Sequence, residues 1–295
     1  MSYLGIDIGG TKVALKAVGP ASEVRETVFR WPAFVGTRQD MAALAAGVRA
    51  VRDGAGGDFE AVGVAVPATV DRAGTVVTWP GRPGWTGLDL AGSLDALFPG
   101  APVRYADDGD LAALAEADRA GVRDLVHLGV GTGVGGGIVV DGRLCPGPLR
   151  GSCEAGHLIV DPAGPRCDCG RYGCLQALAS GPATLRRATR LRGSDVTFSE
   201  LRTALVRPED WAVAALDESC AALAVAAVSL AELVHPDRIT IGGGFAAGLP
   251  DFVERVRRHT RRLARPGGAP VVLADAALGG LSSLQGALLL ARAPV

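Results

Sequence analysis

The chain has 295 residues, and its 30 basic and 31 acidic side chains leave a net charge of −1; that is length for about two domains, and no global charge to attract nucleic acid or an anionic membrane. The opening MSYLGIDIGG lacks the basic and apolar regions of a secretion signal, and no uninterrupted apolar run reads as long enough to span a bilayer, so a cytoplasmic protein is expected. Six cysteines in that setting predict thiols or metal ligands rather than a disulfide framework.

In chain order, YLGIDIGG and TKVALKAV predict a strand, a glycine turn and a second strand, which is a hairpin and not a strand-to-helix phosphate loop. MAALAAGVRAVRD, at 41–53, has helical spacing, AVGVAVPATV reads as a buried strand, and GTVVTWP as a further β segment. LAGSLDALF predicts a helix, PVRYA a strand and LAALAEADRAG a helix. DLVHLGVGTGVGGGIVVDGRL then repeats the pattern of strand, glycine turn and strand. After a cysteine-bearing loop come a long apolar helix at CAALAVAAVSLAELVHP, a strand at RITIGGGFA, an amphipathic helix at DFVERVRRHTRRLA, a strand at PVVLADA and a closing helix at SSLQGALLLARA. The basic run RVRRHTRRLAR, at 255–265, is read as a solvated helix face and not a nucleic-acid patch. Two strand–glycine–strand hairpins, at 3–18 and 125–144, predict two similar α/β lobes with a ligand cleft.

Three glycine turns carry the chemistry. IDIGGTK, at 6–12, places Asp7, Gly9, Gly10, Thr11 and Lys12 in one tight turn, where backbone N–H groups can approach an anion and Asp7 can hold a metal through water. GVGTGVGGG, at 129–137, offers Gly131, Thr132 and Gly133 as unobstructed phosphate donors, and IGGGF, at 241–245, adds a third turn at a strand end. No GxxxxGK[ST] occurs, and GVGTGVG does not open a helix, so neither a P-loop nor a dinucleotide fingerprint is predicted. In RYADDGDLAAL, at 104–114, three carboxylates crowd a predicted helix start, where Asp is a favoured cap.

The segment EAGHLIVDPAGPRCDCGRYGCLQALASG, at 154–181, resembles the signature of the ROK family of repressors, open reading frames and sugar kinases: a Glu-x-x-Gly/His element, then Cys-x-Cys-Gly-x-x-Gly-Cys-x-Glu. Cys167, Cys169 and Cys174, with His157 ten residues upstream, form a three-thiolate, one-imidazole set suited to structural Zn²⁺. Cys145, Cys153 and Cys220 fall outside the pattern. The resemblance runs from IDIGGTK through DDGD and GTGVGGG to IGGGF, and implies the two-lobed actin-like sugar kinase fold, ribonuclease H-like, with a zinc-binding loop. The expected division is 1–108 plus 282–295 as the smaller α/β lobe and 109–281 as the larger, which bears the zinc loop and the sugar and ATP cleft.

That resemblance also implies roles. Gly9, Gly10, Thr11, Lys12, Thr132 and Gly133 would surround the phosphates of Mg²⁺-bound ATP, with Gly243 and Gly244 near the adenosine. Glu154 and His157 would touch the sugar, His157 giving one ring nitrogen to zinc and the other to a hydroxyl, and Gly81 of TWPGRPGW would pass beside it. Asp108 stands at the position of the catalytic base, which accepts the proton of the sugar 6-hydroxyl, and Asp110 is assigned the helix cap.

Two sugar-reading positions depart from the family. Asp107 stands where Asn is usual, and Gln176 where Glu follows the last cysteine. A second buried carboxylate beside Asp108 is costly unless a cation answers it, and an ammonium on the substrate would do so. The resemblance implies that the Asn position faces the 3- and 4-hydroxyls, so 3-amino-3-deoxyglucose, kanosamine, would bring its amine to Asp107. Gln176 complicates the case by removing an anion near the 1- and 3-positions. Kanosamine is thus the favoured substrate, with glucose or N-acetylmannosamine as alternatives and a non-catalytic sugar sensor as the non-enzyme reading. Family repressors carry a winged helix before the first lobe, which here begins at residue 3, so a kinase is expected. A dimer or tetramer is also implied by the family.

Overall fold

The computed structural model describes residues 2–19, 23–32, 36–55, 57–147 and 151–293. Two compact units emerge: Met1–Ala115 with Leu144–Ser152 and Leu281–Val295, and Glu116–Arg143 with Cys153–Gly280.

In the first unit, β1 (Ser2–Ile8) and β2 (Lys12–Val18) form the expected antiparallel hairpin, with Asp7 opposite Ala14 and Ile8 opposite Val13. β3 (Val24–Arg30), not foreseen from the sequence, lines the hairpin's outer edge. Helix α1 (Thr37–Ala55) packs on β2 and β3, and β4 (Phe59–Ala65) runs parallel to β1. The predicted strand at 61–70 is broken at Pro67, which has no N–H to give a ladder. Beyond it β5 (Thr69–Val70) pairs with β6 (Val76–Thr78) in a separate two-stranded sheet. Then come α2 (Leu90–Leu97), capped by the Asp89 side chain on the Gly92 N–H at 2.9 Å, β7 (Val103–Ala106) and α3 (Asp108–Ala120), which carries the chain into the second unit. The sheet order is β3-β2-β1-β4-β7.

The closing helix, Ser282–Arg292, lies on β1, β4 and β7. Its fit depends on glycine: a Cβ on Gly63 would overlap the Ala287 carbonyl oxygen, and one on Gly5 would stand 2.9 Å from the Leu288 nitrogen. Gly63→Ala must therefore push backbone against backbone, and overpacking of this kind costs about 1–3 kcal/mol. The expected result is a lower urea midpoint with an unchanged slope, read by chemical denaturation.

In the second unit β8 (Leu125–Val130) and β9 (Val134–Val140) are followed by β10 (Arg143–Cys145), which starts at the last residue of the 116–143 stretch and runs into the 144–152 segment of the first unit. Helices α4 (Leu175–Ala179), α5 (Gly181–Arg192), α6 (Phe198–Val206) and α7 (Asp210–Val234) follow, then β11 (Arg238–Gly242), α8 (Gly244–Ala247), α9 (Phe252–Leu263) and β12 (Leu273–Asp275). The order β10-β9-β8-β11-β12 repeats that of the first sheet, an antiparallel hairpin joined to two further strands in parallel. Each glycine turn is thus held by the centre of a sheet.

Helix α7 is long and apolar enough to cross a bilayer by length and composition, though Asp217, Glu218 and Glu232 interrupt its apolar run. Its alanines and leucines instead pack into the core against α4, α5 and α9, and 56% of its most apolar window is buried. Helix α9 buries Phe252, Val253, Val256 and Thr260 on one side, while Arg257 and Arg261 pair with Glu254. The basic run is a solvated face of that helix.

Candidate active site and metal-binding loop

In the first unit, Asp7 sits near the end of β1, Gly9, Gly10 and Thr11 form the turn, and Lys12 opens β2. The turn is closed by the Gly9 N–H donating to the Lys12 carbonyl at 2.9 Å. Burial pushes the Asp7 carboxyl up to about 6, the charge of Asp108 adds to that, and Lys12 opposes it. Asp108 is also raised, by burial, against hydrogen bonds from backbone N–H groups including that of Gly109. The two carboxyls form a mutually perturbing pair, an arrangement typical of acid–base sites.

The capping assignment changes. The Asp107 side chain accepts the Gly109 N–H at 3.0 Å, and its carbonyl accepts the Leu111 N–H at 3.0 Å, so Asp107 is the N-cap of α3. Asp110 is not the cap; it lies inside the first turn and is buried, at 2% exposure. The helix begins one turn earlier than the sequence suggested because β7 ends at Ala106 and passes straight into it. Asp107 and Asp110 line a recess of about 40 Å³ with Thr69, Tyr105 and Ser152.

Gly81 lies against the 9–11 turn: a Cβ built on it would stand 3.6 Å from the Gly10 Cα and 3.0 Å from the Trp79 indole nitrogen. Behind both is a buried group that sequence reasoning missed. Arg82 Nε and Nη2 donate to Asp40 at 2.9 and 2.6 Å, Trp85 Nε1 donates to the same carboxylate at 2.8 Å, and Trp31 Nε1 donates to the Gly9 carbonyl at 2.7 Å.

In the second unit, Gly131, Thr132 and Gly133 form the turn between β8 and β9. Gln176, on α4, accepts the Val134 N–H through Oε1 at 3.2 Å, and a Cβ on Gly133 would come within 2.7 Å of that oxygen. The Gly181 N–H donates to the Gly131 carbonyl at 2.9 Å. Gln176 therefore holds the 131–134 turn, a contact its expected place beside the sugar did not reveal. Gly243, at φ +88°, packs on Val130 where any Cβ would overlap the carbonyl oxygen, and with Gly244 it lines a cavity of about 290 Å³ that also includes Asp275, Gly279 and Gly280. Glu116, 1% exposed, fixes the approach to that cavity by accepting the Ala277 and Leu278 N–H groups at 2.8 and 2.9 Å. Buried His127, pushed down to about 4 by burial, contacts Thr240 and is neutral at pH 7.

Glu154, exposed, precedes a single 3-10 turn at Ala155–His157. The ligand atoms of His157, Cys167, Cys169 and Cys174 all lie within 4.8 Å of one another. The Cys169 and Cys174 sulfurs are 3.7 Å apart and the Cys167 sulfur is 3.8 Å from His157 Nδ1, close to the ~3.8 Å edge of a tetrahedron with metal–sulfur bonds of about 2.3 Å. Hydrogen bonds from the Arg171 backbone and side chain draw Cys169 down to about 6, while burial pushes Cys174 up to about 12. The donors fit a closed four-ligand site. Cys220, buried and also pushed up to about 12, is an inert core thiol.

This arrangement can be set beside known proteins. The chain is 55% identical over 289 residues to "Kanosamine kinase" of Amycolatopsis mediterranei, covering 98% of this chain and 95% of that one. Its fold is similar to that of a ROK hexokinase from Thermus thermophilus, with a TM-score of 0.89 at 32% identity and coverage of 99% and 98%. It is also similar to a ROK family glucokinase from Streptomyces griseus in complex with glucose and AMPPNP, with a TM-score of 0.78 at 28% identity and 99% of each chain covered. The sequence model of the ROK family matches residues 3–293, spanning both glycine hairpins, the carboxylate pair and the cysteine loop, and the chain belongs to that family.

Proposed function

We propose that this protein transfers the γ-phosphoryl group of ATP to the 6-hydroxyl of kanosamine. The observation that carries the reading is the 55% identity, across nearly the whole chain, to a kanosamine kinase. The acidic recess supports it: about 40 Å³ is room for a group the size of one water or one ammonium, and Asp107 and Asp110 both line it. An amine there is answered by carboxylates, whereas the 3-hydroxyl of glucose brings no charge.

In this reading the Asp108 carboxylate accepts the 6-hydroxyl proton as the sugar oxygen forms its bond to the γ-phosphorus and the bond to the β-phosphate oxygen breaks, releasing ADP. Its raised affinity for protons suits a base. Backbone N–H groups of Gly10 and Thr11 and of Thr132 and Gly133 are assigned the phosphates, the Gly9 and Gly131 N–H groups closing the two turns, and Gly243 and Gly244 the adenosine. Mg²⁺, travelling with ATP, would neutralise charge on the transferring group, and Asp7 is the carboxylate that would hold it through water. Gln176 keeps the hydrogen bond to Val134 that a glutamate would make, but places no negative charge beside the phosphate turn. Zn²⁺ would be held by His157, Cys167, Cys169 and Cys174, orienting His157 and Glu154 toward the sugar.

The test measures ADP release with kanosamine, glucose and N-acetylmannosamine. Kanosamine is expected to show the highest kcat/KM, and Asp107→Asn to reduce its preference over glucose by about ten- to a hundredfold, the worth of roughly 1.5–3 kcal/mol for a charged hydrogen bond. A retained preference removes Asp107 from the amine, and no turnover on any hexose removes the kinase.

A further inference from the structure

We propose that Arg82 is a positioning residue that couples the sugar-side loop at 79–85 to the phosphate turn at 9–12, so that a sugar in one tightens a nucleotide in the other. The inference rests on the kinase reading, in which Gly81 borders the sugar and Gly9–Lys12 the phosphates.

The physical case begins with an ion pair that stability alone does not require. Asp40 is 2% exposed and the Arg82 side chain 15%, and desolvating two charges usually costs about as much as their attraction returns. What the pair supplies is geometry. The guanidinium is a rigid planar fork, and here two of its nitrogens grip both oxygens of Asp40 while Nη1 reaches the Gly10 carbonyl at 3.4 Å. Its flat face lies 4.8 Å from the Trp31 ring, and Trp31 in turn donates to the Gly9 carbonyl. Asp40 also holds Trp85, which packs edge-on against Trp79 at 4.8 Å, and Trp79 borders Gly81. One partly buried guanidinium thus contacts the backbone of the phosphate turn directly, belongs to the sugar-side loop by sequence, and is locked by a carboxylate from a third segment, α1. A shift of the loop on sugar binding cannot leave Gly10 where it was.

By linkage, the factor by which sugar tightens nucleotide must equal that by which nucleotide tightens sugar. The experiment measures by calorimetry the Kd of AMPPNP with and without saturating kanosamine, and the Kd of kanosamine with and without AMPPNP, for the wild type, Arg82→Lys and Asp40→Asn. In the wild type each ligand is expected to tighten the other by about fivefold or more, within the range usual for coupled sites. Arg82→Lys keeps the charge and loses the fork, and its coupling is expected to fall to within about twofold while each Kd alone moves less than threefold. Asp40→Asn should match it. Three of the four tryptophans lie in this cluster, so indole fluorescence reports the same event: its change on kanosamine binding should be altered in both variants, and circular dichroism confirms that each is folded. Wild-type coupling in either folded variant overturns the proposal, as does a wild type whose ligands bind independently. Kanosamine turnover by that same wild type leaves the kinase reading standing, whereas failure to bind any hexose removes both.

Discussion

Asp108→Asn is expected to lower kcat by about 10²–10⁴-fold with a much smaller effect on KM, because the amide keeps the shape and loses the ability to take the 6-hydroxyl proton. Steady-state ADP release with saturating kanosamine measures this, and a variant within tenfold of the wild type rules Asp108 out as the base. The pH profile makes a separate demand. Burial raises Asp108 above the ordinary carboxylate value of 3.8, and the same charge helps to push Asp7 up to about 6. A base works only when ionised, so kcat/KM should fall with acid through apparent values above 3.8 that belong to the pair. Asp7→Asn, which removes the like charge, should move that limb to lower pH. The sign for stability runs the other way: these carboxyls are more easily protonated in the folded state, so their contribution is fully present below the unfolded value and is lost as pH rises through the raised one. Asp108→Asn should therefore be no less stable than the wild type near neutral pH, a loss of activity without a loss of fold.

Metal removal is the second large effect. Structural zinc supplies about 10–16 kcal/mol of folding free energy in small zinc domains; even a third of that would lower the midpoint of a unit of this size by roughly 10 °C. Prolonged chelation, or Cys174→Ser, is expected to do so in a thermal melt, with zinc found in the untreated protein by elemental analysis and lost from the variant. The damage should reach the nucleotide. Cys174 directly precedes α4, and two residues on Gln176 holds Val134, while Gly156, beside His157, packs so closely on Val134 that a Cβ would overlap its carbonyl oxygen. Loosening the loop releases the 131–134 turn from both sides, and KM for ATP should rise more than tenfold in chelated protein that remains folded. Metal-free protein with an unchanged melt and unchanged KM would falsify the structural role of the ion.

Both effects depend on groups the sequence exposed to very different degrees. The two glycine hairpins are contiguous, each a turn between strands whose alternation and glycine content are written in fewer than twenty residues, so their form follows from local sterics and pairing. The metal set is local as well: three cysteines within eight residues, with glycines at positive φ, Gly170 and Gly173, folding the loop back on itself. The choice of Asp108 as the proposed base came from family resemblance, and spacing alone left three acidic residues to choose among. Helices α5 and α6 were legible and overlooked, since Ser180 with the following Gly-Pro starts one and the reciprocal Thr197–Glu200 capping box starts the other.

What only the tertiary structure decided lies in pairs far apart in the chain. Asp40 and Arg82 are 42 residues apart, and Glu116 lies 161 from Ala277, so no period or motif joins them. Their partners are chosen by which backbone groups burial leaves in need of one, a choice made when sheets and helices close. The same holds for Asp107 and Asp110, whose roles depend on where α3 begins after β7 and on which carboxylate the closed unit buries. Sequence determined the turns, the metal loop and the family because these are short-range patterns of sterics and donor chemistry. Packing decided which carboxylate caps, which one is buried and what holds the 79–85 loop to the 9–12 turn, because those are properties of enclosed space.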